Sequence, residues 1–222
     1  MEKIITMKKA IAMVNDGSQI MVGGFGLVGC PMGLVEELVN SSTKDLTIIS
    51  NNLGEPGKGL GVLVLEKRVR KAIGSYFTSN PDVVSAYQAN EMEVQLIPQG
   101  TLSEAIRAGG AGIGGFYISA GLGTELGIGK ETKVINDKTY LFQPSLRADV
   151  ALIKAYKADK LGNLIYHKSA RNFNPIMATA ADLVIVEVDE IVEVGDLSPE
   201  EIITPQLFVD YITLTGESSN ER

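Results

Sequence analysis

The stretch IMVGGFGLVGCP, residues 20–31, constrains the fold more than any other part of the sequence. An apolar run, Ile20–Val22, enters four glycines within seven residues, and Pro31 follows. Such a run reads as a buried strand over Gln19–Gly23. Proline suits the first turn of a helix, where its missing N–H is not needed and its φ is preset. A helix is therefore predicted from Pro31 to about Ser41, with Leu34, Val35, Leu38 and Val39 on one face and Glu36 and Glu37 on the other. Strand, glycine turn and helix in succession begin a βαβ unit.

The rest of the first half repeats this alternation. Leu46–Ser50, Ala72–Phe77 and Glu93–Ile97 read as strands; Val62–Arg70 and Thr101–Ala108 read as helices. Nine glycines crowd residues 109–129. Each costs up to about 1 kcal/mol in a helix relative to alanine, so turns are expected there. Thr132–Phe142 reads as a hairpin about Asn136-Asp137. Asp149–Tyr156 and Leu183–Val188 are further buried strands, with a helix over Asn174–Ala181 between them and Pro175 in its first turn. The predicted class is α/β: an open, mainly parallel sheet flanked by helices, with a glycine-rich, hairpin-containing middle segment. One domain over residues 1–216 and a polar tail at 217–222 is the economical organisation.

Several function classes are disfavoured. With 20 basic against 27 acidic residues the net charge is −7, which suits neither nucleic acid nor an anionic membrane surface. No apolar stretch approaches the roughly 18–20 residues of a membrane span. One cysteine, Cys30, cannot form an intrachain disulfide, and a reducing, cytoplasmic setting is expected. One cysteine and one histidine, His167, leave no multi-His or Cys-rich metal site, so no metal is expected.

Gly24, Gly26 and Gly29 spell G-x-G-x-x-G, which cradles dinucleotide phosphates when it joins a strand to a helix. That use also needs a carboxylate at the tip of the next strand. Here the tip is Ser50-Asn51-Asn52, and Glu55 lies beyond it in a Gly/Pro turn. No Gly-Lys-Ser/Thr follows, so a Walker loop is excluded. A structural turn without ligand remains an alternative.

The flanking residues favour another family. Asp16-Gly17, Ile20–Phe25, Gly29 and Pro31 together resemble the signature of the alpha chains of coenzyme A transferases. ISNNLGEPGKGLG (49–61), PQGTLSEAIRAGGAGIGGFY (98–117), GLGTELGIGKE (121–131), ADKLGNLIY (158–166) and the segment from Ala170 to Leu197 are similar to later family segments, in order. The resemblance implies transfer of coenzyme A between an acyl-CoA (acetyl-, succinyl- or butyryl-CoA) and a short carboxylic or 3-oxo acid such as acetoacetate. It implies a ping-pong route through a glutamyl-CoA thioester. The family's glutamate lies in Glu-Asn-Gly or Glu-Gly-Gly of a separate beta subunit, and neither string occurs here. A beta-subunit partner is thus expected, as an alpha2beta2 complex, with acyl-CoA as substrate and no permanently bound cofactor.

On this resemblance, Gly23, Gly24, Phe25, Gly26, Leu27, Val28 and Gly29 are the coenzyme A-binding segment. Asn51, Asn52 and Gln99 are supporting residues near the reacting carbonyl, able to donate to an oxyanion. No catalytic nucleophile is expected on this chain. Cys30 reads as a small packed residue and His167 as a structural hydrogen-bonder. Glu125 and Glu131 read as solvated or turn-stabilising, the run Glu66–Lys71 as a solvated helix face, and Glu187, Asp189, Glu190 and Glu193 as an exposed strand face. Two rivals stay open: a nucleotide-binding oxidoreductase and a non-catalytic α/β scaffold.

Overall fold

A computed structural model describes residues 3–216; the polar tail expected at 217–222 lies outside the described residues. The elements run α1 (Met7–Ile11), β1 (Gln19–Val22), α2 (Met32–Asn40), β2 (Leu46–Ile49), α3 (Leu60–Leu65), β3 (Val69–Gly74), α4 (Pro81–Gln88), β4 (Glu93–Leu96) and α5 (Gln99–Gly110). A small unit follows: β5 (Gly115–Ile118), β6 (Thr132–Ile135) and β7 (Lys138–Pro144). Then come β8 (Ala148–Asp159), β9 (Leu164–Ile165), α6 (Asn174–Thr179), β10 (Ala181–Val192) and β11 (Tyr211–Leu214).

Seven strands form one parallel sheet in the order β11-β10-β8-β1-β2-β3-β4, and β9 adds to β8 antiparallel. Helices cover both faces, so both strand faces are apolar. Alternate residues divide between two cores. Ile20, Val22, Ile48 and Leu152 meet Leu34, Leu38 and Leu63 on one side. Met21, Ile49, Ile153 and Val184 meet Leu102, Ile106 and Met177 on the other. Burial on both faces is why these strands read as unbroken hydrophobic runs.

The predicted hairpin is present. Asn136 and Asp137 both have positive φ, 49° and 60°, as a two-residue type I′ turn requires. They join β6 to β7, which pair with β5 in a separate three-stranded antiparallel sheet. This sheet does not leave from the edge that carries the predicted site residues. Helix α5 starts at Gln99 and runs back, so that Gly109 packs beneath the Leu146 carbonyl, just before β8 begins.

The segment 60–77 departs from expectation. The predicted helix Val62–Arg70 is α3, which starts two residues earlier and ends at Leu65; the next strand begins at Val69, not Ala72. Lys67 at φ 55° reverses the chain, an unusual conformation for a lysine. Arg68 is buried, and its guanidinium donates to the carbonyls of Leu38 (2.6 Å), Val39 (2.7 Å) and Thr43 (2.6 Å). It thus satisfies the open carbonyl end of α2. The run Glu66–Lys71 is a turn and strand start, not a helix face. Helix α4 was also not predicted, although Asn80-Pro81 starts it: Asn80 accepts from the Asp82 N–H at 3.0 Å.

Candidate active site

In the sheet, β1 to β4 step outward in one direction, and β8 lies on the other side of β1. The carboxyl ends at such a reversal are where open α/β sheets bind ligands. Four connections meet there: Gly23–Gly29 after β1, Asn51-Asn52 after β2, Ser75 after β3 and Gln99 after β4.

The glycine loop is a small finger. Phe25 and Val28 exchange backbone hydrogen bonds at 3.0 and 3.3 Å, and their side chains are exposed at its tip. Its glycines have different causes. A Cβ on Gly23 would lie 1.8 Å from Asn174 Oδ1, and one on Gly29 2.3 Å from the Ala170 carbonyl oxygen. Gly23 is bare because the chain packs against it, and Gly29 for that reason and for its φ of 69°. Gly26 has φ 63° and open space around it, so its need is conformational.

Other residues anchor the finger. Asn172 donates to the Val28 carbonyl (2.9 Å) and accepts from the Gly24 N–H (3.2 Å). Asn174, fully buried, donates to the carbonyls of Gly29 (3.0 Å) and Ala170 (2.9 Å) and accepts from the Lys154 N–H (2.9 Å). Asn52 accepts from the Gly26 N–H (3.0 Å) and donates to the Gly54 carbonyl (3.3 Å). Both ends of its amide are engaged in the loops, so Asn52 positions the finger.

Asn51 and Gln99 meet directly. Asn51 is buried and donates from Nδ2 to Gln99 Oε1 (2.7 Å) and Ser75 Oγ (2.9 Å); the Ser75 hydroxyl also contacts Gln99 Oε1. The Gln99 carbonyl oxygen is held twice and the residue is exposed, which leaves its amide N–H groups available to donate. Ser75 was not singled out in the sequence. The sequence places it inside the expected strand Ala72–Phe77; in the structure β3, between β2 and β4 in the sheet, ends at Gly74, so Ser75 opens the loop at the carboxyl edge.

The amino end of α2 is not open to a phosphate. The Leu34 N–H donates to Glu187 Oε2 at 3.1 Å, and Glu187 is 2% exposed. Its other oxygen accepts from Lys154 Nζ (3.1 Å) and the Thr215 hydroxyl (3.1 Å). A dinucleotide would place its pyrophosphate where this carboxylate sits. The expected exposed acidic face holds for Asp189, Glu190 and Glu193 and is corrected at Glu187: β10 lies inside the sheet, and Glu187 points inward as a helix cap and ion-pair partner.

Burial, with the Glu187 charge nearby, pushes the Cys30 thiol up to about 12, so it is a packed, unreactive group. His167, expected to make structural hydrogen bonds, is exposed; its ring lies 5.4 Å from that of Tyr156 at a tilt of 36°, and its side chain makes no hydrogen bond among the described residues. Glu131 accepts from the Tyr117 hydroxyl at 2.5 Å in the small sheet. A cleft of about 250 Å³ lies on the β8 side of the finger, lined by Leu27, Cys30, Lys154, Tyr156, Tyr166 and His167 among others. No group of three or more His, Cys, Asp or Glu residues suited to a metal ion occurs among the described residues. None of the described helices is long and apolar enough to cross a membrane.

Known proteins resemble this chain along nearly its whole length. The family described as coenzyme A transferase matches residues 4–215. The chain is 48% identical over 216 residues to the alpha chain of the acetate CoA-transferase of Escherichia coli K12, covering 97% of this chain and 98% of that one. It is 46% identical over 215 residues to the corresponding chain of a probable succinyl-CoA:3-ketoacid coenzyme A transferase of Bacillus subtilis 168, covering 97% and 90%. Among solved structures, an acyl-CoA transferase of E. coli O157:H7, crystallised as a thioester complex with CoA, superposes with a TM-score of 0.84 at 20% identity. That match covers 97% of this chain and 48% of the longer one, so the chain spans about half its length, and it speaks for the fold alone.

Proposed function

The chain belongs to the coenzyme A transferase family, and on that footing we propose that it is the alpha half of a two-chain enzyme. The complex moves coenzyme A between an acyl-CoA, such as acetyl-, succinyl- or butyryl-CoA, and a short carboxylic or 3-oxo acid such as acetoacetate. The observation that carries this reading is the Gln99–Asn51–Ser75 cluster beside the glycine finger. It offers neutral, hydrogen-bonded donors at the carboxyl edge of the sheet but no carboxylate to attack a thioester. Neither Glu-Asn-Gly nor Glu-Gly-Gly occurs in the sequence.

A glutamate of a beta subunit supplies the nucleophile. Its carboxylate attacks the thioester carbonyl, expels the CoA thiolate and leaves an acyl–glutamyl anhydride. The thiolate then attacks the glutamyl carbonyl of the anhydride, releasing the donor acid and forming the glutamyl-CoA thioester. The acceptor acid reverses both steps. Each attack builds an oxyanion, which donors held in place stabilise without reorganising. Gln99 donates to it, and Asn51 with Ser75 fixes the Gln99 amide. The finger, Gly23–Gly29, lies along the coenzyme A chain, and Asn52 holds it to the β2 loop.

The single cysteine supports a reducing compartment, and we place an alpha2beta2 complex in the cytoplasm, with coenzyme A as a passing substrate and no resident cofactor. The purified chain alone is expected to show no transferase activity with acetyl-CoA and acetoacetate, and mixing with its beta subunit to restore it. Turnover by the isolated chain would refute the division of the site.

In the assembled enzyme, Gln99→Ala is expected to lower kcat by roughly 100-fold with KM changed little, because the lost interaction forms with the transition state. Steady-state kinetics check this; a rise in KM alone would remove Gln99 from the role.

A further inference from the structure

We infer that the turn His167–Arg171, welded to the glycine finger, binds the phosphates of coenzyme A through Lys168 and Arg171. This rests on the transferase reading above and adds to it a site for the charged end of the substrate.

This chain has a net charge of −7, while coenzyme A is a polyanion, so the overall charge of the chain repels the substrate. Local cations must offset that field. Most cations near the carboxyl edge are already committed. Lys154 is held by Glu187 and Asp189, Lys157 by Glu190, and Lys160 by Glu193. Lys58, on the loop after β2, faces Glu55 at 4.0 Å. Lys168 and Arg171 differ: both are exposed, and neither has an ion-pair partner among the described residues.

Their placement is not that of loose surface charges. They sit in a short 3-10 turn, Lys168–Arg171. Its next residue, Asn172, bonds to both Gly24 and Val28 of the finger, and the Ala170 carbonyl packs on Gly29. Lys168 has φ 51°, a conformation that costs a lysine energy and persists only where the surroundings impose it. The turn is therefore fixed to the element proposed to lie along the coenzyme A chain. The amino end of α2, the usual phosphate site beside such a loop, is filled by Glu187. The cations at the finger's flank take its place. Arg171 offers a planar fork to a phosphate, and Lys168 a mobile point charge.

The test uses the assembled two-chain enzyme and two donors, acetyl-CoA and acetyl-pantetheine, which carries the same thioester without phosphates. The ratio of their kcat/KM values measures the contribution of the phosphorylated nucleotide end, and its dependence on salt and on the two cations isolates the part due to the phosphates. In the Lys168→Asn/Arg171→Gln variant, in which asparagine tolerates the positive φ, that ratio is expected to fall about ten-fold, chiefly through KM for acetyl-CoA. Raising the salt concentration should lower the wild-type ratio more than that of the variant. Folding damage would slow both donors alike and leave the ratio in place. An unchanged ratio overturns the assignment. Failure of the wild-type complex to use either donor overturns the transferase reading and this site with it.

Discussion

Replacing Glu187 by alanine is expected to lower the unfolding free energy by about 3–5 kcal/mol, among the largest effects of any single change. The carboxylate is 2% exposed and holds three partners from three elements: the Leu34 N–H of α2, Lys154 of β8 and Thr215 beyond β11. Alanine leaves the Leu34 N–H without its acceptor and takes from the Lys154 ammonium, 15% exposed, the more buried of its two carboxylate partners. An unpaired buried donor costs about 1–3 kcal/mol, and breaking a buried ion pair from one side costs more. Glutamine keeps an acceptor for Leu34 and is expected to cost about half as much. Urea unfolding of the three proteins checks this, and a loss below about 1 kcal/mol for the alanine variant would refute the network's weight.

Gly23→Ala is expected to be nearly as severe and to remove at least 99% of transferase activity in the assembled enzyme, roughly a 100-fold loss. The new Cβ would lie 1.8 Å from Asn174 Oδ1 and 2.7 Å from its Cγ, so the side chain must move. Asn174 is fully buried and holds Gly29, Ala170 and the Lys154 N–H at once. Moving it frees one end of the finger and the basic turn beside it. Overpacking of this kind costs about 1–3 kcal/mol before the lost hydrogen bonds are counted. Gly26→Ala is the contrast: with no atom within 4 Å of the added carbon, it suffers only the roughly 1–2 kcal/mol of positive φ. Equal stability losses for the two variants would show that conformation, not the contact with Asn174, governs the finger.

The elements that were legible in the sequence share one property: their pattern is local. Buried parallel strands read as apolar runs because both faces are covered, and β1, β2, β8 and β10 are legible in that way. Pro31 marked α2, and Asn136-Asp137 marked the hairpin, because both residue types bias φ within the residue itself. The boundaries that slipped lacked such a mark. Lys67 reverses the chain at positive φ with no glycine to announce it, and Arg68, one residue before β3, looks like surface charge until the carbonyl end of α2 is brought to it.

The same division runs through the candidate site. Asn51 and Gln99 could be named from motif position, but nothing local shows that their amides touch, since 48 residues separate them. Ser75, Asn172 and Asn174 complete the arrangement from other strands and loops. Glu187 was misjudged because alternation along a strand tells which residues share a face, not whether that face meets water.

By itself, then, the amino-acid order determined the α/β class and the sites of glycine turns, which follow from residue types within a few positions, and the membership in a transferase family, which follows from local motifs in a fixed order along the chain. Only the tertiary structure decided that Glu187 closes α2 to phosphate, that Asn174 makes Gly23 obligatory, and that Lys168 and Arg171 stand beside the finger. Those outcomes depend on contacts between strands ordered 8-1-2-3-4 in space, and a side chain's chemistry is set by the neighbours the sheet gives it.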